Sequence, residues 1–267
     1  MSITARAAAK QPTRLTTTLS PVSARIWLVI PTYNESENLE RIIRAVTSEM
    51  AKLAPDDHRV LVVDDSSPDG SGQLADRLAD EIETLEVLHR SAKDGLGRAY
   101  IAGFERALAD GAEFVIQMDA DFSHDPRYLG DLLRAAEDAD LVLGSRYVAG
   151  GAVRNWGPLR KIISRGGSFY SRLILGVGVR DLTGGFKCIR RSVLEAVDLT
   201  TLRADGYVFQ IEVTYLAIRG GFVVKEIPIV FTDRAAGASK MSWKIAIEAM
   251  LLVPSLRRER PRHLTPS

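Results

Sequence analysis

The sequence holds a single cysteine, Cys188, in 267 residues. That excludes an internal disulfide and any zinc site built from several cysteines, and it fits a reducing, cytoplasmic compartment. Long apolar runs are also missing. A helix needs about 18 or more consecutive apolar residues to cross a bilayer, and the best candidates, 173–179 and 245–253, are short or interrupted by Glu248. Charge of one sign is not in excess: 35 Lys and Arg against 34 Asp and Glu leave a formal net charge of +1, which gives no general attraction to nucleic acid. No GxGxxG follows the first apolar segment, which disfavours a dinucleotide oxidoreductase, and no GxxxxGK[ST] phosphate loop occurs. Histidine is scarce. His58, His89 and His124 have no metal-ligand spacing, which suggests solvated or capping roles, and His263 sits near the end of the chain.

What is there is a balance suited to a buried core, with 46% hydrophobic and 26% charged residues. Residues 1–24 carry Ala, Thr, Ser and basic residues, with no acidic residue and no secretory apolar core; they read as a disordered leader, a composition that a transit peptide would share. Short apolar, β-branched stretches then alternate with helical spacing. Strands are expected at 25–31 (RIWLVIP), 59–63 (RVLVV), 85–89, 114–119 (FVIQMD) and 139–145, with helices at 37–53, 72–82 and 95–109. Such alternation predicts an α/β fold with a parallel, doubly wound sheet, where ligands sit beyond the carboxyl ends of the strands. After Gly151 the spacing predicts helices over 159–176, 208–219 and 239–256, a turn at 181–185 and a strand over 222–231, where Pro228 marks an edge or a bulge. A basic run, Arg257, Arg258 and Arg260, opens the tail 257–267.

Polar motifs gather at the predicted strand ends. Asp119-Ala120-Asp121 follows FVIQM directly, and two carboxylates one residue apart at a strand end can face one divalent cation, Mg²⁺ or Mn²⁺, which shares its remaining sites with phosphate oxygens. In isolation the same triplet would read as a solvated turn or a helix cap. Val63-Asp64-Asp65-Ser66-Ser67-Pro68-Asp69-Gly70 closes the second strand. Asp65 there is suited to a base or ribose, and Asp69 to a structural turn. Pro31-Thr32-Tyr33-Asn34-Glu35 closes the first strand. It offers an aromatic face and a carboxylate, with Asn34 or Ser36 as possible caps.

Together PTYNE, VVDDSSPDG, KDGLGRAY, DAD and GSRY make the chain resemble the family 2 glycosyltransferases of GT-A fold. The segments NWGPLRKIISRGGSFY, VRDLTGGFKCIRR, DGYVFQIE and VKEIPIVFTDRAAGASKMS narrow the resemblance to dolichol- and polyprenol-phosphate mannosyltransferases, over nearly all of 25–252. Two departures are Ser123-His124 in place of Leu-Gln-His and Ala238 in place of Glu. The C-terminal transmembrane segments of some branches are absent, so the resemblance is to a short form, or to one served by a membrane-embedded partner.

The resemblance implies a predominantly parallel sheet flanked by helices, with amphipathic interface helices towards the C-terminus. Residues 25–256 would form the catalytic domain, with a nucleotide-binding half (25–150) and an acceptor and membrane-interface half (151–256). Pro31, Tyr33, Glu35, Val63 and Asp65 would surround guanosine. Asp119, Ala120 and Asp121 would meet metal and diphosphate. Arg146 would lie near the reacting groups, Arg234 and Lys240 would close over the donor diphosphate, and Arg160 with Ser164 would hold the acceptor phosphate.

The implied activity is inverting, metal-dependent transfer of mannose from GDP-mannose to a polyprenyl phosphate, on the cytoplasmic side of a membrane by a peripheral enzyme. A UDP-glucose-dependent transferase and a non-catalytic nucleotide-sugar-binding subunit are the competing readings. A nucleotidyltransferase is weaker, because its glycine-rich basic loop is absent. Residues alone add one argument. Arg160 and Ser164 share a helix face, beside apolar Ile162, Ile163, Phe169 and Leu173, and a basic face next to an apolar one suits the lipid headgroup region. Gln210 and Glu212 are candidates to line a sugar pocket, and Trp156 and Trp243 are candidates for core or lipid interface.

Overall fold

A computed structural model describes residues 24–55, 57–202, 206–233 and 252–257. Its strands are β1 (Ile26–Thr32), β2 (His58–Asp64), β3 (Leu85–His89), β4 (Phe114–Gln117), β5 (Leu141–Ser145), β6 (Ala152–Arg154), β7 (Lys187–Arg190), β8 (Val224–Pro228) and β9 (Val230–Thr232). Its helices are α1 (Leu39–Leu53), α2 (Ser71–Glu81), α3 (Leu96–Ala109), α4 (Leu129–Ala135), α5 (Pro158–Leu175), α6 (Arg191–Ala196) and α7 (Gly206–Arg219), and residues 252–257 are helical. Seven strands form one sheet in the order β3-β2-β1-β4-β7-β5-β8, and β6 with β9 makes a separate pair.

All pairings in the large sheet are parallel except those of β7, which runs against β4 and β5. The central strands β1, β2, β4 and β5 are buried on both faces, as their apolar sequences require. In β1 the alternation sends Trp27 and Val29 to one core, with Tyr100 and Phe104 of α3. Ile26, Leu28 and Ile30 go to the other, with Leu39, Ile42 and Ile43 of α1. Gly103 lets α3 lie close to the sheet, since a Cβ there would stand 2.4 Å from Val29 Cγ1.

The sheet is predominantly parallel, as expected; its one antiparallel strand, β7, was not anticipated, because its opening lysine hid it. The stretch expected as one strand over 222–231 divides in two: β8 completes the sheet edge, ending at Pro228 where no further neighbour needs an N–H, and β9 pairs with β6. Among the described residues, no helix is long and apolar enough to cross a membrane.

Candidate active site

Parallel register brings the motifs together. Thr32 lies beside Asp64 and Asp64 beside His89, so the residues that follow, Tyr33, Asp65 and Arg90, leave three adjacent strands at one level. Arg90 forms an ion pair with the buried Asp65. Burial pushes the Asp65 carboxyl up, and the Arg90 guanidinium opposes this. Lys93 stands 3.8 Å above the centre of the Tyr33 ring.

The β1 and β2 loops are bonded to each other. Ser67 Oγ accepts from the Asn34 N–H at 3.2 Å, Ser71 Oγ from Glu35 at 2.9 Å and Asp69 Oδ2 from Ser36 at 3.1 Å. Asn34 takes a positive φ of 56° and neither it nor Ser36 caps α1, which starts after Asn38 with no side-chain cap. Burial alone would raise the Asp69 carboxyl, but hydrogen bonds from Ser71 and Ser36 outweigh it and hold it at about 2. Asp69 therefore fastens the loops as an anion.

Strand β4 ends at Gln117, and the acidic triplet leaves its end. Asp119 Oδ1 accepts from Tyr100 Oη at 2.9 Å, and the Asp119 N–H donates to His124 Nδ1 at 3.1 Å. That bond requires a lone pair on Nδ1, so His124 is held neutral, and its burial also depresses its pKa. Its ring stacks on Phe186 with centroids 5.0 Å apart. His124 is thus a buried brace of the triplet, and of the solvated or capping roles expected from its spacing it takes the capping one, on the Asp119 N–H.

Asp121 is buried, and its Oδ1 accepts from the Ser123 N–H at 3.0 Å. Ser123 Oγ is buried with no hydrogen-bond partner two residues from Asp121. An orphaned hydroxyl beside two carboxylates is a donor set for a hard, oxygen-preferring cation, directly or through water. Among the described residues no cluster of three His, Cys, Asp or Glu side chains forms a metal site by itself, so phosphate and water oxygens would complete the shell.

On the other side of the site, Arg146 at the end of β5 is locked onto Asp181. Asp181 Oδ2 accepts from the Arg146 backbone N–H at 2.8 Å and from Nε at 2.7 Å. Oδ1 accepts from Nη2 at 2.6 Å, and Thr183 Oγ1 from the same Nη2 at 2.8 Å. Arg160 of α5 donates from Nη1 to both oxygens of Asp233 at 2.8 Å and lies 4.1 Å over the Trp156 ring. Trp156 is buried beneath it, edge-on to Phe231 at 5.4 Å, which removes it from a lipid interface. Ser164, one turn beyond Arg160, accepts from Tyr147 Oη at 2.6 Å. Of the residues marked from sequence, Pro31, Val63 and Ala120 line the strand ends as backbone neighbours, with Val63 and Ala120 buried. Arg234, Lys240 and Trp243 fall outside the described residues.

Sequence reasoning missed the ion-pair partners Arg90, Asp181 and Asp233 in those roles. It also missed Tyr100, whose only signal was its place in KDGLGRAY.

Helix α5 is inverted. Its buried positions are Ser164, Ser168, Ser171 and Leu175, whereas Leu159, Ile162, Phe169 and Leu173 are 65–70% exposed.

Comparison with known proteins agrees with this geometry. The chain is 49% identical over 231 residues to a polyprenol monophosphomannose synthase of Mycolicibacterium smegmatis, covering 86% of this chain and 85% of that protein. It is 46% identical over 229 residues to an undecaprenyl-phosphate mannosyltransferase of Micrococcus luteus, covering 86% and 92%. Among solved structures, a mannosyltransferase from Pyrobaculum calidifontis in complex with GDP-Man and Mn²⁺ superposes with a TM-score of 0.61 at 18% identity, over 91% of this chain and 67% of that one. Glucosyl-3-phosphoglycerate synthase from Mycobacterium tuberculosis gives 0.63 at 19%, over 88% and 81%, so the fold is GT-A. The model of the glycosyl transferase family 2 domain matches residues 27–198, a span that holds the strand-end loops, the acidic triplet and the Arg146–Asp181 pair, and the chain belongs to that family.

Proposed function

We propose that this protein transfers mannose from GDP-mannose to the phosphate of a polyprenyl monophosphate at a membrane surface, with inversion at the anomeric carbon. The observation that carries this reading is helix α5: its Arg160 lies over Trp156 and pairs with Asp233, its Ser164 accepts from Tyr147, and the same helix turns Leu159, Ile162, Phe169 and Leu173 outward. A polar grip beside an outward apolar stripe suits a lipid whose phosphate must reach the site while its chain stays in the bilayer. Two relatives of 49% and 46% identity, named for polyprenol and undecaprenyl-phosphate mannosyl chemistry, support the same substrates.

Tyr33, Glu35 and Asp65 take the nucleoside in this reading, with Pro31 and Val63 as walls. Asp119 and Asp121 would hold Mg²⁺ or Mn²⁺ in this reading. When bound, that cation supplies charge neutralisation for the departing nucleoside diphosphate. Arg234 and Lys240 add positive charge from the segment after β9. A phosphate oxygen of the acceptor forms the new bond to the anomeric carbon as the bond to the donor's diphosphate oxygen breaks, and the electron pair leaves with the nucleoside diphosphate. A phosphate monoester has a second pKa near 6 and is already largely dianionic at neutral pH, so no base is required. His124, neutral and engaged with the Asp119 N–H, is consistent with a base-free step. Arg160 and Ser164 orient the attacking phosphate, and Arg146, fixed by Asp181, shapes the floor on which it turns.

The test is transfer of radiolabel to the organic phase from GDP-mannose or UDP-glucose, with polyprenyl phosphate and Mg²⁺ or Mn²⁺. Label from GDP-mannose alone supports the proposal. Label from UDP-glucose alone would overturn the donor, and no transfer from either in detergent or membranes would overturn the reading.

A further inference from the structure

Behind the acidic triplet lies a buried polar chain that the transfer step above does not use. Lys187, Gln117 and Gln210 are 0%, 0% and 3% exposed. Lys187 Nζ donates to Gln210 backbone O at 2.7 Å and to Gln210 Oε1 at 2.9 Å. Gln117 Nε2 donates to Gly185 backbone O at 2.7 Å and to the same Gln210 Oε1 at 2.7 Å.

This chain leaves the Gln210 amide one orientation. The Gly185 carbonyl only accepts, so the Gln117 atom facing it must be nitrogen. That nitrogen, and the amine of Lys187, both need an acceptor, so the Gln210 atom between them must be oxygen. The Gln210 nitrogen therefore points the other way. Among the described residues it has no hydrogen-bond partner there. Gly185 shows where it points: a Cβ built on Gly185 would stand 3.4 Å from His124 Cε1, 3.7 Å from Gln210 Nε2 and 3.9 Å from Asp119 Oδ2. The amide nitrogen and the Asp119 carboxylate thus face one small space, open because residue 185 has no side chain.

We infer that Gln210 Nε2 donates hydrogen bonds to hydroxyl oxygens of the transferred sugar, making Gln210 a specificity-determining residue, with Lys187 and Gln117 as the positioning residues that aim it. A pair of N–H donors beside a carboxylate matches a hexose, whose hydroxyls both accept and donate. A site built to bond a hydroxyl discriminates strongly against a ligand that lacks it, because its buried polar groups are then left unpaired. The inference rests on the proposed use of a sugar nucleotide, whichever base and hexose that carries.

The experiment measures binding of the sugar nucleotide and of the matching free nucleoside diphosphate, with Mn²⁺, to the full chain and to Gln210→Leu, isosteric Gln210→Glu and Lys187→Met. The donor is whichever of GDP-mannose and UDP-glucose the unaltered chain binds. Both Gln210 variants should bind the sugar nucleotide about tenfold more weakly and the free nucleoside diphosphate within about twofold of the parent, with Lys187→Met shifted in the same direction. Equal losses for the two ligands would mean a merely structural role, and no loss for either would mean no contact; each overturns the assignment. If the unaltered chain binds neither donor, the functional reading fails first and takes this one with it.

Discussion

Arg146 and Asp181 form a bidentate ion pair that is almost wholly excluded from solvent, the two side chains being 5% and 0% exposed. The pair ties the end of β5 to the turn before β7, 35 residues later. Such a pair stabilises little relative to apolar residues of equal volume, but loss of one partner leaves a buried charge, at a cost of about 3–5 kcal/mol.

Asp181→Ala should therefore lower the unfolding free energy by about 3–5 kcal/mol in urea titrations. Arg146→Lys keeps the charge but not the planar fork. It should retain the fold with a reduced melting temperature and lose transfer activity by about tenfold or more, and activity equal to the parent would remove Arg146 from the site floor.

Gly185→Ala separates packing from binding. The added methyl would meet its neighbours at 3.4–3.9 Å, ordinary contact distances, so the melting temperature should barely move. The same methyl fills the space between Asp119 and Gln210, so the apparent KM for the sugar nucleotide should rise about tenfold, as expected when roughly 1.4 kcal/mol of binding is lost.

Asp121→Asn should abolish Mn²⁺ binding by calorimetry in the presence of nucleoside diphosphate and reduce transfer by more than about a hundredfold, since charge stabilisation of this kind is worth several kcal/mol. Its circular dichroism should match the parent, because an amide oxygen still accepts from the Ser123 N–H. Chelation of the parent enzyme should reproduce the loss, and added Mn²⁺ should reverse it.

Burial lowers the Lys187 pKa to about 7 from an ordinary value near 10.5. Between those values the unfolded chain holds a proton that the folded chain lacks, so stability should rise with pH from about 7 to about 10, by about 1.4 kcal/mol per unit for this one group. Below 7 both states are protonated and the full cost is present. Subtracting the Lys187→Met profile from that of the parent in urea denaturation isolates the slope, and parallel profiles would show that Lys187 stays charged in the folded state.

Leu159, Phe169 and Leu173 of α5 are 70%, 65% and 66% exposed, so their replacement by serine should not lower stability. It should abolish co-sedimentation with vesicles containing anionic lipid while leaving nucleoside diphosphate binding intact. Retained sedimentation would move membrane contact elsewhere on the chain.

Strands β1, β2, β4 and β5 were legible because each is a short apolar run buried on both sides, and the acidic triplet was legible because it follows the end of β4. Strand β7 was not. It begins with a lysine, which ordinarily signals solvent, yet Lys187 is wholly buried and donates to Gln210. Helix α4 spans only Leu129–Ala135, too few turns to show a period. Within the site, single residues such as Asp65, Arg146 and Arg160 stood out by their motifs. Their partners did not, because Arg90, Asp181 and Asp233 lie 25, 35 and 73 residues away and are joined only by the fold.

Strand β7 also bears on how the chain assembles. It enters between β4 and β5, pairing Gln117 with Lys187 and Leu143 with that same Lys187. Until it arrives, each of those strands presents an unsatisfied row of amides and carbonyls to the other. A nascent chain that has emerged only as far as β5 therefore has a four-stranded sheet ending in an open β4 edge and a β5 with no partner strand, and joining them requires contacts across some seventy residues of sequence. Folding should wait on that late insertion, and a fragment ending at Gly150 should aggregate through the open edges of β4 and β5 rather than survive as an independent nucleotide-binding unit.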